Sequence, residues 1–323
     1  MKAAVYYQTG GPEVFRYEDM PDPVARRGGI VVEIKAVGIQ GGDTLHRQGG
    51  VMATTPHIVG YQAAGVVCEV GEGVADRQVG QHVVCTMGFG SHAELASVPV
   101  RTSYVLPEEM PFEVGASIPI EFGTADDCLF EFGHLVAGET VLVQAGASGV
   151  GLAAIQLAKA AGAKTVIATA SSDERLARLR DYGMDVGINY TREDLAARTF
   201  EATGGHGADL VVDSVGGKTL EASIAALAYR GRISWVGQAG READVPQIWP
   251  IMQKNGSITG VFLGAEFSAQ PDRTRAMIER LIGRVASGEL KVAIDRTFPL
   301  SDAEGAHRYI EARKAFGRVL LIP

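Results

Sequence analysis

The sequence predicts an α/β protein of two domains, an all-β barrel-like domain followed by a doubly wound parallel sheet covered by helices. Three observations carry this. A chain of 323 residues exceeds one ordinary core and suits two. Its first hundred residues read as short β-branched strands cut by glycine, whereas the middle alternates strand with helix. A glycine-rich loop then stands between one of those strands and the helix that follows it.

Taken in order, residues 30–37, 64–70, 82–86 and 93–98 read as strands, bounded by Gly, Asp or Pro. The pairs Gly41-Gly42 and Gly49-Gly50 and the segment 71–73 read as tight turns. Residues 113–132 look helical. Beyond them come a buried strand at 140–144, a helix over 149–161, a strand at 165–168 and a helix over 174–182. Further strands are predicted at 186–188, 210–212, 232–236 and 257–262, which together make a parallel sheet with helices on both faces. A helix over 273–286 stops at Gly288. Ser301 and Glu304 read as a capping box opening a helix towards Arg313, and 318–322 is a last apolar strand. The tail is expected to rejoin the first domain, giving domains of 1–120 with 267–323, and 121–266.

Composition excludes several classes. With 46% apolar and 21% charged residues the chain is globular rather than disordered. A net charge of −8, with Lys and Arg scattered singly, argues against a nucleic-acid partner. No apolar run reaches the roughly 18 residues of a membrane span. The N-terminus turns polar too early for a secretory signal, so a cytoplasmic protein is expected. Cys68, Cys85 and Cys128 form no CxxC, and each reads as a small buried hydrophobe in a reducing compartment.

The motif with most chemistry is Gly146-Ala147-Ser148-Gly149-Val150-Gly151, which follows a strand and opens an Ala-rich helix. Glycines there permit a tight turn and close approach of backbone to a pyrophosphate, and the helix N-terminus supplies free N–H groups. Ser148 replaces the middle glycine of the usual pattern, and its hydroxyl can add a phosphate contact. An NAD site would place an acid at the end of the next strand. Here that strand runs Ile167-Ala168-Thr169-Ala170-Ser171-Ser172, with no acid before Asp173. Ser171, Ser172 and Arg175 suit a 2′-phosphate, so NADPH is the expected cofactor. The plainer alternative is a serine helix cap beside a solvated arginine.

These residues, with others, resemble the zinc-free quinone oxidoreductase branch of the medium-chain dehydrogenase/reductase superfamily. The resemblance spans nearly the whole chain. Its marks include Gly60-Tyr61-Gln62-Ala63-Ala64-Gly65, Gly80-Gln81-His82-Val83, Gly123-Thr124-Ala125, Asn189-Tyr190, Asp213-Ser214-Val215-Gly216-Gly217 and Gly317-Arg318-Val319. It implies a GroES-like β domain with a Rossmann domain, and an active site in the cleft. It further implies that Gln40 stands where relatives carry a cleft Asn, or a zinc-ligating Cys in the metal-dependent branch. Tyr61-Gln62 stands where that branch has His-Glu. Neither replacement is an ordinary zinc ligand, and the seven histidines show no HxxxH spacing, so no metal is expected. Gln40 and Tyr61 are the catalytic candidates. A packing role for Tyr61 stands beside a donor role. By the same resemblance Thr124, Tyr190 and Arg318 join the cofactor site, the last two at the adenosine phosphate end, and Gly237, Phe262 and Leu263 face the nicotinamide.

Without a Lewis acid, an acceptor of hydride must spread the developing charge itself. Quinones and α,β-unsaturated carbonyls do so. The expected activity is therefore NADPH-dependent reduction of a quinone or similar conjugated carbonyl. Reduction of an enone or enoyl-thioester C=C bond is the alternative, and an NADPH-binding protein without turnover is a third reading. A homodimer is expected, with the strand at 257–262 on the sheet edge.

Overall fold

In a computed structural model describing residues 1–242 and 245–323, the chain divides into two units. One is Met1–Ile120 with Pro271–Pro323, the other Glu121–Gln270. The first unit begins with β1 (Lys2–Tyr6), β2 (Arg16–Asp19), β3 (Gly29–Gly38), α1 (Gly41–Gly49) and β4 (His57–Ile58). It continues with β5 (Gln62–Val70), β6 (His82–Thr86), β7 (Leu95–Pro99), β8 (Ser103–Val105) and α2 (Phe112–Gly115). β3 is the organising strand. It pairs antiparallel with β5 and β7, while β5 pairs with β6 and β6 with β8. Ile30, Val32, Ile34 and Val37 of β3 pack with Val67, Val83, Val319 and Leu321 in one buried cluster. Each such side chain contributes about 1.5–3 kcal/mol.

Two local readings are corrected here. The glycines at 41–42 and 49–50 bound helix α1 rather than two turns. Asp43 Oδ2 accepts the Gln40 amide (2.8 Å) to cap it, and buried Arg47 pairs with Glu311, so tertiary anchoring overrides the weak helix propensity of glycine. Cys68 is exposed, because it sits near the outer end of β5, whereas Cys85 and Cys128 are buried.

α3 (Pro119–Asp126) runs across the boundary into the second unit, which contains β9 (Thr140–Val143), α4 (Gly149–Ala160), β10 (Thr165–Ala170), α5 (Asp173–Leu179) and β11 (Val186–Asn189). After these come α6 (Leu195–Ala202), β12 (Ala208–Asp213), α7 (Gly217–Ala226), β13 (Leu227–Trp235), β14 (Ser257–Gly260) and α8 (Leu263–Ala269). The single helix expected over 113–132 is instead α2, α3 and a π-helical turn at Asp127–Glu131. All strands are parallel, in the order β11-β10-β9-β12-β13-β14. This is the doubly wound dinucleotide-binding arrangement.

The chain then returns to the first unit through α9 (Pro271–Ala286), β15 (Ile294–Pro299), α10 (Ala303–Glu311) and β16 (Arg318–Ile322), which pairs with β3. Asp302, not Ser301, caps α10, its carboxylate accepting the Gly305 amide at 3.0 Å. Among the described residues no helix is long and apolar enough to cross a membrane.

Three histidines pack inside the first unit. His92 Nε2 and His307 Nε2 lie 3.0 Å apart, both buried, and neither ring nitrogen of buried His57 meets a hydrogen-bond partner. Burial pushes His57 down to about 4 and His92 down to about 3. His307 lies well below its usual value through burial and the nearby His92 and Arg47. Each is neutral when folded but binds a proton near pH 6.5 when unfolded. Their stabilisation is thus complete above about pH 6.5 and lost progressively as pH falls towards the folded values. Urea unfolding should weaken between pH 6 and pH 5 by about 1.4 kcal/mol per pH unit for each fully titrating histidine. A stability flat across that interval would overturn this.

Candidate active site

The glycine loop is built as the sequence requires. β9 is wholly buried, so the chain must leave the sheet abruptly at its end, and Ala145 turns with φ 50°. Ser148 caps α4, its Oγ accepting the Gly151 amide at 3.0 Å. The serine hydroxyl hydrogen remains free to donate outward. A Cβ on Gly151 would lie 2.4 Å from the Ala145 carbonyl oxygen and 2.8 Å from Gly146 Cα, so backbone meets backbone here. Gly149 and Val150 form the first helical turn beyond Ser148. This is a helix N-terminus presented for an anion.

At the end of the adjoining strand β10, Ser172 Oγ accepts the Arg175 amide (3.3 Å) and Arg175 Nη1 lies 3.3 Å from Ser171 Oγ. Ser172 therefore caps α5, and the Ser171 hydroxyl lies beside the Arg175 guanidinium. Asp173 is held by Arg192, whose Nη2 lies 2.7 Å from both carboxylate oxygens, and by Asn189 Nδ2 at 3.0 Å. Arg192 belongs to no motif, so only its arrival beside Asp173 through the β10–β11 pairing reveals it. Tyr190 follows β11 and is exposed. Thr124 is buried on α3. Gly237 follows β13, its carbonyl accepting Trp235 Nε1 at 2.8 Å. The strand predicted to end at Phe262 ends at Gly260, so exposed Phe262 caps α8 and Leu263 begins it.

In the first unit, Gln40 is buried at the N-cap of α1. A Cβ on Gly42 would lie 2.6 Å from the Tyr61 hydroxyl, which places that hydroxyl over the same helix start. Gln40 and Tyr61 are thus brought to one place. Arg318, which the resemblance groups with the adenosine phosphate end, lies in this first unit. It is buried on β16 with Nη2 donating to the Ile39 carbonyl (2.7 Å), one residue from Gln40.

Residues 26–108 match the alcohol dehydrogenase GroES-like domain, and 149–282 match the zinc-binding dehydrogenase family. A quinone oxidoreductase of Pseudomonas aeruginosa is 33% identical, over 97% of this chain and 97% of its own length. The chain belongs to the quinone oxidoreductase branch of the medium-chain dehydrogenase/reductase superfamily. A 2-haloacrylate reductase of a Burkholderia species is 32% identical, over 99% of this chain and 98% of its own length. Among solved structures, the Escherichia coli quinone oxidoreductase complexed with NADPH superposes with a TM-score of 0.95 at 31% identity, all of both chains being covered.

The match to a zinc-binding dehydrogenase family requires the donor set to be tested. Gln62 is wholly buried and both ends of its amide are committed, Nε2 to the Ala116 carbonyl (2.5 Å) and Oε1 to the Ile120 amide (2.7 Å). It clamps the chain at Ala116 and Ile120. Its neighbours at the site, an amide at Gln40 and a phenol at Tyr61, do not make a zinc set either. The residues of this quinone oxidoreductase relative therefore do not fit the metal.

Proposed function

We propose that the protein is an NADPH-dependent, zinc-independent oxidoreductase that reduces a quinone or similar conjugated carbonyl. The observation that carries the cofactor reading is the cluster of Ser171, Ser172 and Arg175 at the end of β10, with Asp173, the first acid after the strand, held by Arg192. A free carboxylate there would favour a ribose hydroxyl and repel a phosphate. The relative solved with NADPH supports the same reading. The bound nicotinamide supplies the hydride. Gly146–Gly151 amides hold the pyrophosphate, and Thr124, Tyr190, Gly237, Phe262 and Leu263 complete the cofactor-side assignment. Gln40 orients the reactants, and Tyr61 offers a hydroxyl to the acceptor oxygen.

Reduction of an activated C=C bond is the second reading, favoured by the 2-haloacrylate reductase relative. Both acceptor types delocalise charge, so the same residues serve either. We also assign the edge strand β14, which among the described residues pairs only with β13 and is flanked by exposed Tyr229, Trp249 and Met252, to contact with a second copy of the chain.

The cofactor reading is tested by titrating NADPH and NADH into wild type and Arg175→Ala, following nicotinamide fluorescence. Wild type should prefer NADPH. Loss of a charge-assisted contact of about 1.5–3 kcal/mol should weaken NADPH roughly tenfold or more and leave NADH nearly unchanged. Equal losses for both nucleotides would show that Arg175 is a solvated helix charge.

A further inference from the structure

The parallel sheet divides at one place. β9, β10 and β11 run to one side and β12, β13 and β14 to the other, so the winding reverses between β9 and β12. Loops part at such a point, and a ligand crevice opens beyond the strand ends. One buried run of hydrogen bonds crosses beneath it. The Ala145 amide donates to Thr169 Oγ1 (3.1 Å), which donates to Gln144 Oε1 (2.8 Å). Gln144 Nε2 donates to Ser223 Oγ (2.9 Å), which donates to Asp213 Oδ2 (2.8 Å). At the far end Asp213 Oδ1 accepts the amides of Val215 and Gly216, each at 2.9 Å.

All four side chains are buried, with at most 3% exposure at Gln144. Each hydroxyl accepts one hydrogen bond and donates one, and the Gln144 amide has a single orientation that satisfies both neighbours. The run is therefore directional, from the glycine-loop backbone on β9 to a carboxylate on β12. Ala145 shows what it holds. A residue with a Cβ costs about 1–2 kcal/mol in the left-handed region, and such strain persists only where the surroundings enforce it. Its amide is the first donor of the run.

We propose that Thr169, Gln144, Ser223 and Asp213 are positioning residues for the cofactor, presetting the Gly146–Gly151 loop and the turn after Asp213 in one fixed spacing. The inference rests on the NADPH reading above. Stability alone does not call for such a run, since matched apolar pairs of the same shape fill a core about as well. What an apolar pair cannot supply is direction at both ends, which is what two loops gripping one ligand require.

The experiment compares Thr169→Val, Thr169→Ser and Ser223→Ala with wild type by NADPH fluorescence titration, with the melting temperature of each protein measured alone. Thr169→Val keeps the shape and loses the hydroxyl, so the NADPH Kd should rise about tenfold (~1.4 kcal/mol). Thr169→Ser loses a methyl but keeps the run, and should stay within about twofold. Ser223→Ala, across the division of the sheet, should match Thr169→Val, and the double variant should be little worse than either single one, since the run is already broken. If Thr169→Val does not fold, Ser223→Ala against Thr169→Ser makes the same comparison. A purely structural run would lower the melting temperatures and leave Kd unchanged, or make Thr169→Ser as weak as Thr169→Val. Either result overturns the proposal. Absence of nicotinamide nucleotide binding by wild type would instead overturn the functional reading beneath it.

Discussion

Gly151→Ala should cost the protein most of its hold on NADPH, with the Kd rising on the order of a hundredfold. The conflict is one of space, not of backbone angle. The added methyl would stand 2.4 Å from the Ala145 oxygen and 2.8 Å from both Gly146 Cα and Gly146 oxygen. None of these is the mobile end of a side chain. Relief requires α4 to move off β9 or the loop to open, and either motion pulls the first-turn amides from the place where they converge on a phosphate. The Ser148 Oγ to Gly151 amide bond (3.0 Å) would go with them. A loss of about 2.7 kcal/mol corresponds to that hundredfold change. Fluorescence titration gives the Kd, and a circular dichroism spectrum checks that the parallel sheet survives. A folded Gly151→Ala protein with Kd within threefold of wild type would show that the loop does not grip the pyrophosphate.

Quinones and enones should be reduced readily, simple ketones should not, and chelators should change neither rate. Charge that builds on a ketone oxygen needs a Lewis acid or strong donors. At this site Gln62 spends both ends of its amide on backbone groups, and Gln40 and Tyr61 provide neutral donors only. An acceptor that delocalises the charge relieves them of that work. Tyr61→Phe and Gln40→Ala should therefore lower kcat while leaving measurable quinone turnover, each by less than the roughly 10²–10³ typical of losing one donor from an oxyanion hole. Steady-state assays across quinones, enones, 2-haloacrylate and simple ketones, with metal analysis of the protein, decide this. Efficient oxidation of simple secondary alcohols would sink the mechanism. So would about one tightly held zinc per chain, lost together with activity, or a Tyr61→Phe protein inactive towards every acceptor. Cofactor binding without turnover of any acceptor would favour the binding-protein reading.

Much of the parallel sheet was legible because its strands are short, buried on both faces and separated by helices. The strand at 82–86 and the one at 318–322 fall where the sequence puts them. Helices α6 and α7 are not legible in the sequence, because their surfaces are half polar, and α7 in addition opens on Gly216-Gly217. Helix α1 was misread as two turns for the opposite reason. Its glycines advertise a break, and only Asp43 at its cap and Arg47 reaching Glu311 make the segment between them helical.

The sequence by itself determined the loop at Gly146–Gly151, the missing acid before Asp173 and the non-ligand side chains at Gln40, Tyr61 and Gln62, since each depends on residue type at short spacing. The tertiary structure decided which side chains meet across long separations. It brought Arg192 to Asp173, turned Gln62 into a clamp on Ala116 and Ile120, set Arg318 against the Ile39 carbonyl, and aligned Thr169, Gln144, Ser223 and Asp213 into one run. The physical reason is that hydrogen-bond geometry needs tenths of an ångström. Sequence periodicity sets which face a residue occupies, and only the packed sheet order sets which partner waits there.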